Sequence, residues 1–400
     1  MKKLFANGVS DEAIIMALAV SAFLPWLPSF VLLACIAVFI FVYKRTRKMV
    51  FGDKAALALL PFLPLAVVPS VVHKNFFGIL SGFGIVLVFL LFLYLSKAVT
   101  VQIAHKFYNV VCVLSIVAAV YAVIEKIVYV INPELSYGSI VLPSNDELRC
   151  ASLFGNPNLY SSVICFAILI AVNMLLDKKG DFKFYTVTIA ANLVGMLLCG
   201  SLMGMMELFV GVLVLFILKR QWKILTGFGA LCVVAAGAIL AVPSLLPRFS
   251  SAGHSTELRL RVWKLSLIMF EEAPLFGRGI LSYMKFSPDY VDADLGFQVK
   301  VTTNAHNLLI DGLLSFGIIG MAFLVFYLIM GALPVIRGYF KRKERSRCAM
   351  ALAAAAGALV HGIFDVTIMW PQVAVIFLIM VAAGYADEAP PMQETIRAET

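Results

Sequence analysis

The chain has 400 residues, of which 62% are apolar and 14% charged, with a formal net charge of +9 and a mean hydropathy of +0.96. A soluble protein carries roughly a quarter charged residues, so this composition excludes a soluble enzyme, a nucleic-acid-binding domain and a disordered chain. Most apolar stretches run for roughly 17 to 25 residues without the alternating polarity of a membrane barrel. The sequence therefore predicts an all-α integral membrane protein.

Apolar runs that could span a membrane follow one another along the whole chain. The first two are short and are separated by Pro25 and Pro28, so we expect a thin or tilted hairpin there. The seventh and eighth are split only at Gly200-Ser201, so either two helices or one long kinked helix fits. The twelve predicted helices are 12–24, 28–43, 55–71, 76–96, 108–131, 158–176, 182–199, 201–218, 224–245, 307–335, 347–364 and 370–386.

The distribution of Lys and Arg predicts how these helices are oriented. With a cytoplasmic N-terminus, the inner segments hold 22 Lys and Arg and the outer segments hold nine, seven of them in one long loop. Short cytoplasmic loops carry such an excess of positive charge. We therefore predict twelve spans in the cytoplasmic membrane with both termini cytoplasmic. The basic loops facing anionic membrane lipid account for the net charge, and no nucleic acid partner is needed.

One outer segment, 246–306, is too long for a passive connection. Within it, 255–272 places Leu258, Val262, Leu265 and Met269 at helical spacing, which predicts an amphipathic helix with Ser255 or Thr256 as its cap. We divide the chain into five N-terminal transmembrane helices, 1–131, and a membrane domain, 132–400, that includes this outer loop.

Nucleotide-binding and metal-binding motifs do not occur in the sequence, so we expect no cofactor and no metal. The outer side instead offers arginines, one histidine and several turn motifs. Each motif has an ordinary structural interpretation: a loop that starts a helix, a basic interfacial helix, or a polar residue at a helix start. The motifs are Arg149 with Gly155-Asn156-Pro157-Asn158, Arg259 with Trp263, Pro274-Leu275-Phe276-Gly277-Arg278-Gly279, and His306-Asn307 with Phe316-Gly317-Ile318-Ile319-Gly320.

Taken together, in this order and on one side of the membrane, these motifs resemble those of the O-antigen ligase and O-antigen polymerase superfamily of bacterial envelope glycosyltransferases. The resemblance covers roughly residues 145–375, and His361 to Asp365 is similar to the last outer turn of that family. Two positions depart from the family pattern. Leu202 stands where the family has a functional arginine, and Ser315 stands where it often has glutamate.

The resemblance implies transfer of a glycan from a polyprenyl diphosphate carrier to an acceptor hydroxyl on a glycan, a lipid or a protein, at the outer face of the membrane. Histidine suits a general base near neutral pH, which points to His306. Arginine holds phosphate oxygens in a bidentate way, which points to Arg259 for the donor diphosphate. The residues expected to assist are Arg149 and Arg261 at the diphosphate, and Asn307, Asp365 and Glu207 as supporting polar groups.

Two other functions remain open from the sequence alone. A transporter or flippase for a lipid-linked sugar would also suit twelve helices, although transporters place polar residues near the bilayer midplane and often show repeated halves. A membrane subunit with a degenerate, non-catalytic site is the third interpretation, and Leu202 is its best support.

Overall fold

The computed structural model describes residues 10–52, 59–132, 149–242, 252–341 and 345–386. Within these ranges the regular elements are helices, and no strand occurs. The α-helices are α1 (Asp11–Ser21), α2 (Trp26–Val42), α3 (Lys44–Phe51), α4 (Phe62–Val72), α5 (Phe76–Ala98), α6 (Val101–Ile131), α7 (Pro157–Leu176), α8 (Phe182–Cys199), α9 (Leu202–Leu218), α10 (Trp222–Ala241), α11 (Ala252–Glu271), α12 (Ser282–Phe286), α13 (Leu308–Lys341), α14 (Ser346–Gly362) and α15 (Pro371–Ala383).

Each of the twelve apolar runs overlaps one of these helices over its described residues, although α4 begins only at Phe62 and α13 is broken at Gly317. In the described part of the chain, five helices are long and apolar enough to cross a membrane: α5, α6, α7, α8 and α13. The pair α2 and α3 passes the same test as one span bent by 85°, and four further apolar helices are shorter. The protein is therefore a multi-pass helical membrane protein, while the count of twelve spans and the orientation of the termini stay predictions.

The break between α8 and α9 decides between the two alternatives for that region. Gly200 adopts φ 56°, in the left-handed region that ends helices. The hydroxyl of Ser201 then accepts a hydrogen bond from the Gly204 amide and caps α9. The two runs are separate helices.

Helix α7 lies at the centre of the bundle and packs against α6, α8, α9, α14 and α15. Fifteen of its twenty residues are buried. Small residues allow close approach around it: a Cβ on Gly357 of α14 would lie 2.8 Å from the Glu207 carbonyl oxygen of α9. Small residues at helix contacts let membrane helices pack backbone to backbone, and this contact brings Glu207 against α14.

The outer helices are apolar on their exposed faces as well. On α6, Val117, Val120 and Ile124 are each about half exposed, whereas Phe107 and Val111 on another face are fully buried. A helix that is hydrophobic on all sides belongs in a membrane or in a large core. These exposed faces are suited to contact lipid.

Helix α13 is interrupted at Gly317, which has φ 62° and ψ −172°. The interruption frees backbone groups, and the segment Pro274–Gly279 pairs with them. The Arg278 and Gly279 amides donate to the carbonyl oxygens of Leu314 and Ser315, at 2.8 and 3.0 Å. In return, the Ile318 and Ile319 amides donate to the carbonyls of Pro274 and Leu275. The two glycine-containing motifs at 274–279 and 316–320, separate in the sequence, are therefore hydrogen-bonded to each other through their backbones.

The amphipathic stretch predicted at 255–272 is helix α11, and its residues Val262, Leu265 and Met269 are buried against Tyr283, Ala305 and Leu314. The predicted cap was wrong, because the helix already begins at Ala252 and Ser255 and Thr256 lie inside it. The segment that follows is joined to the N-terminus of α5, where the Asn75 side chain donates to the Ile280 carbonyl at 2.9 Å. The 252–307 region therefore lies at the end of the bundle where α5 and α13 begin.

Candidate active site at one end of the helix bundle

His306 precedes α13 in an unusual backbone conformation. Its φ of 50° lies in the left-handed region, which is uncommon for residues other than glycine. Three polar neighbours hold this turn. The Asn304 side chain accepts from the His306 amide at 2.9 Å, the Asp311 carboxylate accepts from the Ala305 amide at 2.8 Å, and the Asn307 side chain accepts from the Leu309 and Ile310 amides. These bonds fix the backbone of the turn that carries His306.

Asp365, between α14 and α15, completes the surroundings of the ring. Its Oδ1 lies 3.3 Å from His306 Nδ1 and accepts the Val366 amide, while its Oδ2 accepts from the Asn158 side chain at 2.6 Å. The Asp365 side chain is 8% exposed and that of His306 is 29% exposed. A carboxylate at Nδ1 favours the tautomer with the proton on Nδ1, which leaves Nε2 as the acceptor.

The charge of Asp365 is stabilised despite its burial. Burial alone raises the pKa of this carboxyl, but the hydrogen bond and charge of His306, the charge of His361 and the hydrogen bond from Asn158 together hold the pKa well below its usual range. The group is therefore ionised at neutral pH, and it can stabilise positive charge on the His306 ring.

Arg149 joins the same network from the other side of Asn158. Its Nη2 donates to Asn158 Oδ1 at 2.9 Å, and its Nε donates to the Cys199 carbonyl at the C-terminal end of α8. The hydroxyl of Ser201 also donates to Asn158 Oδ1 at 2.9 Å. A continuous chain of polar contacts thus runs from Arg149 through Asn158 and Asp365 to His306.

The segment that carries Arg149 is itself fixed by a buried acid. The Glu125 carboxylate of α6 accepts from the Ala151 and Ser152 amides at 3.2 and 2.8 Å, and from the Tyr129 hydroxyl at 2.9 Å. Glu125 is 2% exposed. A carboxylate with these three donors holds the turn after Arg149 in one position.

Among the residues that the structure describes, the two predicted arginines of α11, Arg259 and Arg261, are not hydrogen-bonded into this network as Arg149 is. Arg259 is half-buried and lies one helical turn before Trp263, whose ring is 5.7 Å from that of Phe364, the neighbour of Asp365. One turn is about 5.4 Å along a helix, so Arg259 lies about one turn away from the Trp263–Phe364 contact that joins α11 to the site. Arg261 forms an ion pair with Glu257 on the same helix. In the described part of the chain, Arg261 makes no hydrogen bond or ion pair to the His306 network.

A second polar layer lies one helical turn deeper in the bundle. His361 Nδ1 is 2.6 Å from Glu207 Oε2, and the Ser162 hydroxyl donates to the same oxygen at 2.8 Å. Ser162 follows Asn158 by one turn of α7, and His361 precedes Asp365 by four residues. His361 and Glu207 are 0% and 1% exposed. The start of α7 and the segment 361–365 therefore each contribute a residue to both layers, and α9 adds Glu207 to the deeper one.

Sequence reasoning named His306, Asp365, Arg149 and Glu207, and the structure places them in these two layers. It also named Asn307, which caps α13 next to His306. It did not name Asn158, Ser201, Ser162 or His361 as site residues. Asn158 lies within the Gly-Asn-Pro-Asn motif, so the motif itself was a usable signal. Ser162 carries no such signal, because a serine inside an apolar run does not reveal its partner, whereas His361 begins the stretch that resembles the last outer turn of the family. Among the described residues, no group of His, Cys, Asp or Glu could hold a metal ion.

These features define a class: a polytopic helical membrane protein with a polar, arginine- and histidine-containing site where its helices end. Within that class, residues 187–325 match the family model described as O-antigen ligase. The match supports the resemblance to the O-antigen ligase superfamily for the motifs that lie within these residues. It includes α11, the paired glycine motifs and His306. The family implies a lipid-linked glycan donor and a glycan acceptor in general terms. No curated protein matches the chain.

Proposed function

We propose that the protein transfers a glycan from a polyprenyl diphosphate carrier to an acceptor hydroxyl at the outer face of the cytoplasmic membrane. The observation that carries the proposal is the contact between the partly exposed ring of His306 and the buried, ionised Asp365. Such a pair is suited to a general base, because the carboxylate orients the ring and stabilises it when it takes up a proton. The family match supports glycan transfer in general.

In the proposed step, His306 Nε2 takes the proton of the acceptor hydroxyl as its oxygen attacks the anomeric carbon of the donor sugar. The bond from that carbon to the diphosphate oxygen breaks, and the polyprenyl diphosphate leaves with its electron pair. A single displacement of this kind inverts the anomeric centre. The acceptor hydroxyl belongs to a glycan, a lipid or a protein.

The negative charge that develops on the leaving diphosphate needs stabilisation, and arginine provides it through paired N–H donors. We assign this role to Arg259, assisted by Arg149 and Arg261. Arg149 is also relevant to Leu202, which stands where the family has a functional arginine. Its guanidinium lies beside Gly200 and donates to the Cys199 carbonyl, so it supplies a positive charge next to the position where the family has arginine.

An apolar groove of about 550 Å³ supports a donor with a lipid tail. It lies between α4 and the segment Ala273–Gly277, with Leu65, Val68 and Leu275 in its walls and His73 at its polar edge. Arg278 immediately follows the groove in sequence, and its guanidinium stacks on the Phe286 ring at 4.0 Å. We propose that the isoprenoid tail of the donor lies against this groove.

The position of the site favours transfer over transport. Asn158, His306 and Asp365 lie at the ends of α7, α13 and α14, whereas transporters bind substrate near the bilayer midplane between repeated halves. Glu207 and His361 support the outer layer from below in this proposal, and Asn307 holds the start of α13 against the Ile363 carbonyl, to which its side chain donates at 2.9 Å.

Two experiments test the proposal. In cells lacking the protein, carrier-linked glycan should accumulate on the outer face of the membrane, since the donor is made and exported but not consumed. Accumulation on the inner face would instead indicate a flippase. A reporter fused after residue 285 tests the topology, because this residue is expected outside. A cytoplasmic reporter there would contradict the placement of the site.

A further inference from the structure

A second carboxylate lies beside the turn that carries His306. Asp311 is in the first turn of α13, and its Oδ1 accepts a hydrogen bond from the Ala305 amide at 2.8 Å. Ala305 immediately precedes His306 in the chain, and the charges of His306 and Asp365 both act on the Asp311 carboxyl group. Two carboxylates are therefore close to His306, one from α13 and one from the segment between α14 and α15.

The two carboxylates differ in the oxygen atoms that are still available to a ligand. Both oxygens of Asp365 have protein partners, since Oδ1 contacts the His306 ring and Oδ2 accepts from Asn158. Among the described residues, the Asp311 side chain makes one hydrogen bond, from the Ala305 amide to Oδ1, and Asp311 is partly exposed. A carboxylate oxygen accepts hydrogen bonds, so Oδ2 of Asp311 is suited to a ligand that donates one, such as a hydroxyl.

An aromatic pair borders the same turn from the side of α11. The rings of Trp263 and Phe364 are 5.7 Å apart, and both residues are partly exposed. Phe364 is one residue away from the carboxylate that contacts the His306 ring. Trp263 packs against the buried apolar cluster that contains Ala305, whose amide binds Asp311. The aromatic pair and the open carboxylate oxygen are therefore neighbours of one turn.

We propose that these groups form a subsite for one sugar ring of the glycan, in which Asp311 accepts a hydrogen bond from a sugar hydroxyl and the Trp263–Phe364 pair contacts the apolar face of the ring. The subsite rests on the proposed function, because it defines what is recognised beside His306. Ligand sites combine aromatic walls with a few placed polar groups. A sugar ring has hydroxyls at its edge and C–H groups on its faces, and these C–H groups suit the negative face of an aromatic ring.

Binding of the free glycan tests the subsite separately from transfer. The probe is the oligosaccharide released by mild acid from the polyprenyl diphosphate carrier of the source cells, titrated calorimetrically into the purified protein. Asp311→Asn keeps an oxygen that can accept from the Ala305 amide but removes the charge, so the affinity for the oligosaccharide should fall roughly tenfold or more. The control, Asp292→Asn, removes the same charge from an exposed residue of the outer segment and should leave the affinity unchanged.

The aromatic wall has its own pair of variants. Trp263→Leu removes the aromatic face and keeps an apolar side chain, so the affinity for the same oligosaccharide should fall about threefold or more. The matched control is Trp222→Leu, because Trp222 is 57% exposed and begins α10, beyond the end of α9 that lies farthest from the site. Melting temperatures show whether each variant is folded, and Asp311→Asn decides the test if Trp263→Leu unfolds the protein.

The outcomes separate the two sources of the sugar and separate the subsite from the proposed function. In the transfer assay, a higher Michaelis constant for the carrier-linked donor in Asp311→Asn assigns the subsite to a donor sugar, and a higher one for the acceptor assigns it to an acceptor sugar. Oligosaccharide binding that is lost in Asp311→Asn, in a protein that transfers nothing, supports the subsite and contradicts the proposed function. Equal affinity of Asp311→Asn and Asp292→Asn for the oligosaccharide, or no binding by the unchanged protein, overturns the subsite whether or not transfer occurs.

Discussion

His306 Nδ1 and Asp365 Oδ1 lie 3.3 Å apart although 59 residues separate them in sequence. The contact joins the beginning of one helix to the end of another, and Asn158, at the start of α7, holds the second carboxylate oxygen. Three helices therefore have to assemble before this pair exists.

His306→Ala should leave membrane insertion and protein level normal and reduce glycan transfer by at least about a hundredfold, the usual contribution of a general base. Transfer would be measured with purified protein and a polyprenyl diphosphate-linked glycan. His105→Ala, at the opposite end of the bundle, is the control and should transfer normally. Unchanged transfer in the His306 variant would remove this residue from the mechanism.

Asp365→Asn keeps the size of the side chain and removes its charge, so the ring of His306 loses its orienting carboxylate. We expect transfer to fall by roughly a hundredfold or more, as for other oriented histidine bases. A fall smaller than threefold would show that the carboxylate is not needed for orientation.

The same variant carries a pH test. The pKa of Asp365 lies below its unfolded value of about 3.9, so ionised Asp365 stabilises the fold above that pH, and the contribution is lost as the pH falls through the lower folded-state pKa. The gap in melting temperature between the protein and Asp365→Asn should therefore narrow below about pH 4. A gap that stays constant down to pH 3 would contradict this.

Arg259→Lys keeps the positive charge and loses the paired donors of the guanidinium. If Arg259 holds the donor diphosphate, transfer should fall by roughly tenfold or more, and the apparent affinity for the donor should fall with it. Arg337→Lys, an exposed arginine near the opposite end of α13, is the matched control. Equal activity of the two variants would indicate that Arg259 only anchors α11 at the membrane surface.

Gly317→Ala tests the paired glycine motifs. A Cβ at Gly317 would lie 2.3 Å from the Leu275 carbonyl carbon, and the residue has a positive φ. We expect a loss of about 2–3 kcal/mol in the free energy of unfolding, from strain and overpacking. Gly227→Ala in α10, where nothing lies within 4 Å of the added Cβ, should be neutral or stabilising. Thermal unfolding in detergent compares the two, and similar melting temperatures would contradict the pairing.

Glu207→Ala should destabilise the protein by about 1–3 kcal/mol, because it removes the carboxylate that is hydrogen-bonded to the buried His361 ring. Glu207→Gln keeps a hydrogen-bonding side chain of the same size, so its effect should be smaller. The melting temperatures of the two variants provide the comparison. If both variants melt at the same temperature as the unchanged protein, the hydrogen bond between Glu207 and His361 does not stabilise the fold.

The sequence by itself determined that this is a helical membrane protein, because long apolar runs without alternation leave the backbone no other way to satisfy its hydrogen bonds in lipid. It also located each apolar helix and the amphipathic face of α11, because the 3.6-residue period is a local property. The N-terminus of α11 was misplaced, since Ser255 and Thr256 look like caps in the sequence although the helix already includes them.

Only the tertiary structure decided which polar residues meet. Asn158 and Arg149 are close in sequence, but their link to Asp365 and His306 depends on how α7, α13 and α14 pack, and the close approach of α9 to α14 brings Glu207 to His361. The two glycine motifs, separate in sequence, proved to be one structure, because a helix broken at Gly317 needs hydrogen-bond partners from another segment. Local sequence fixes helices through periodicity, whereas a buried polar network is specified by long-range packing, which periodicity does not encode.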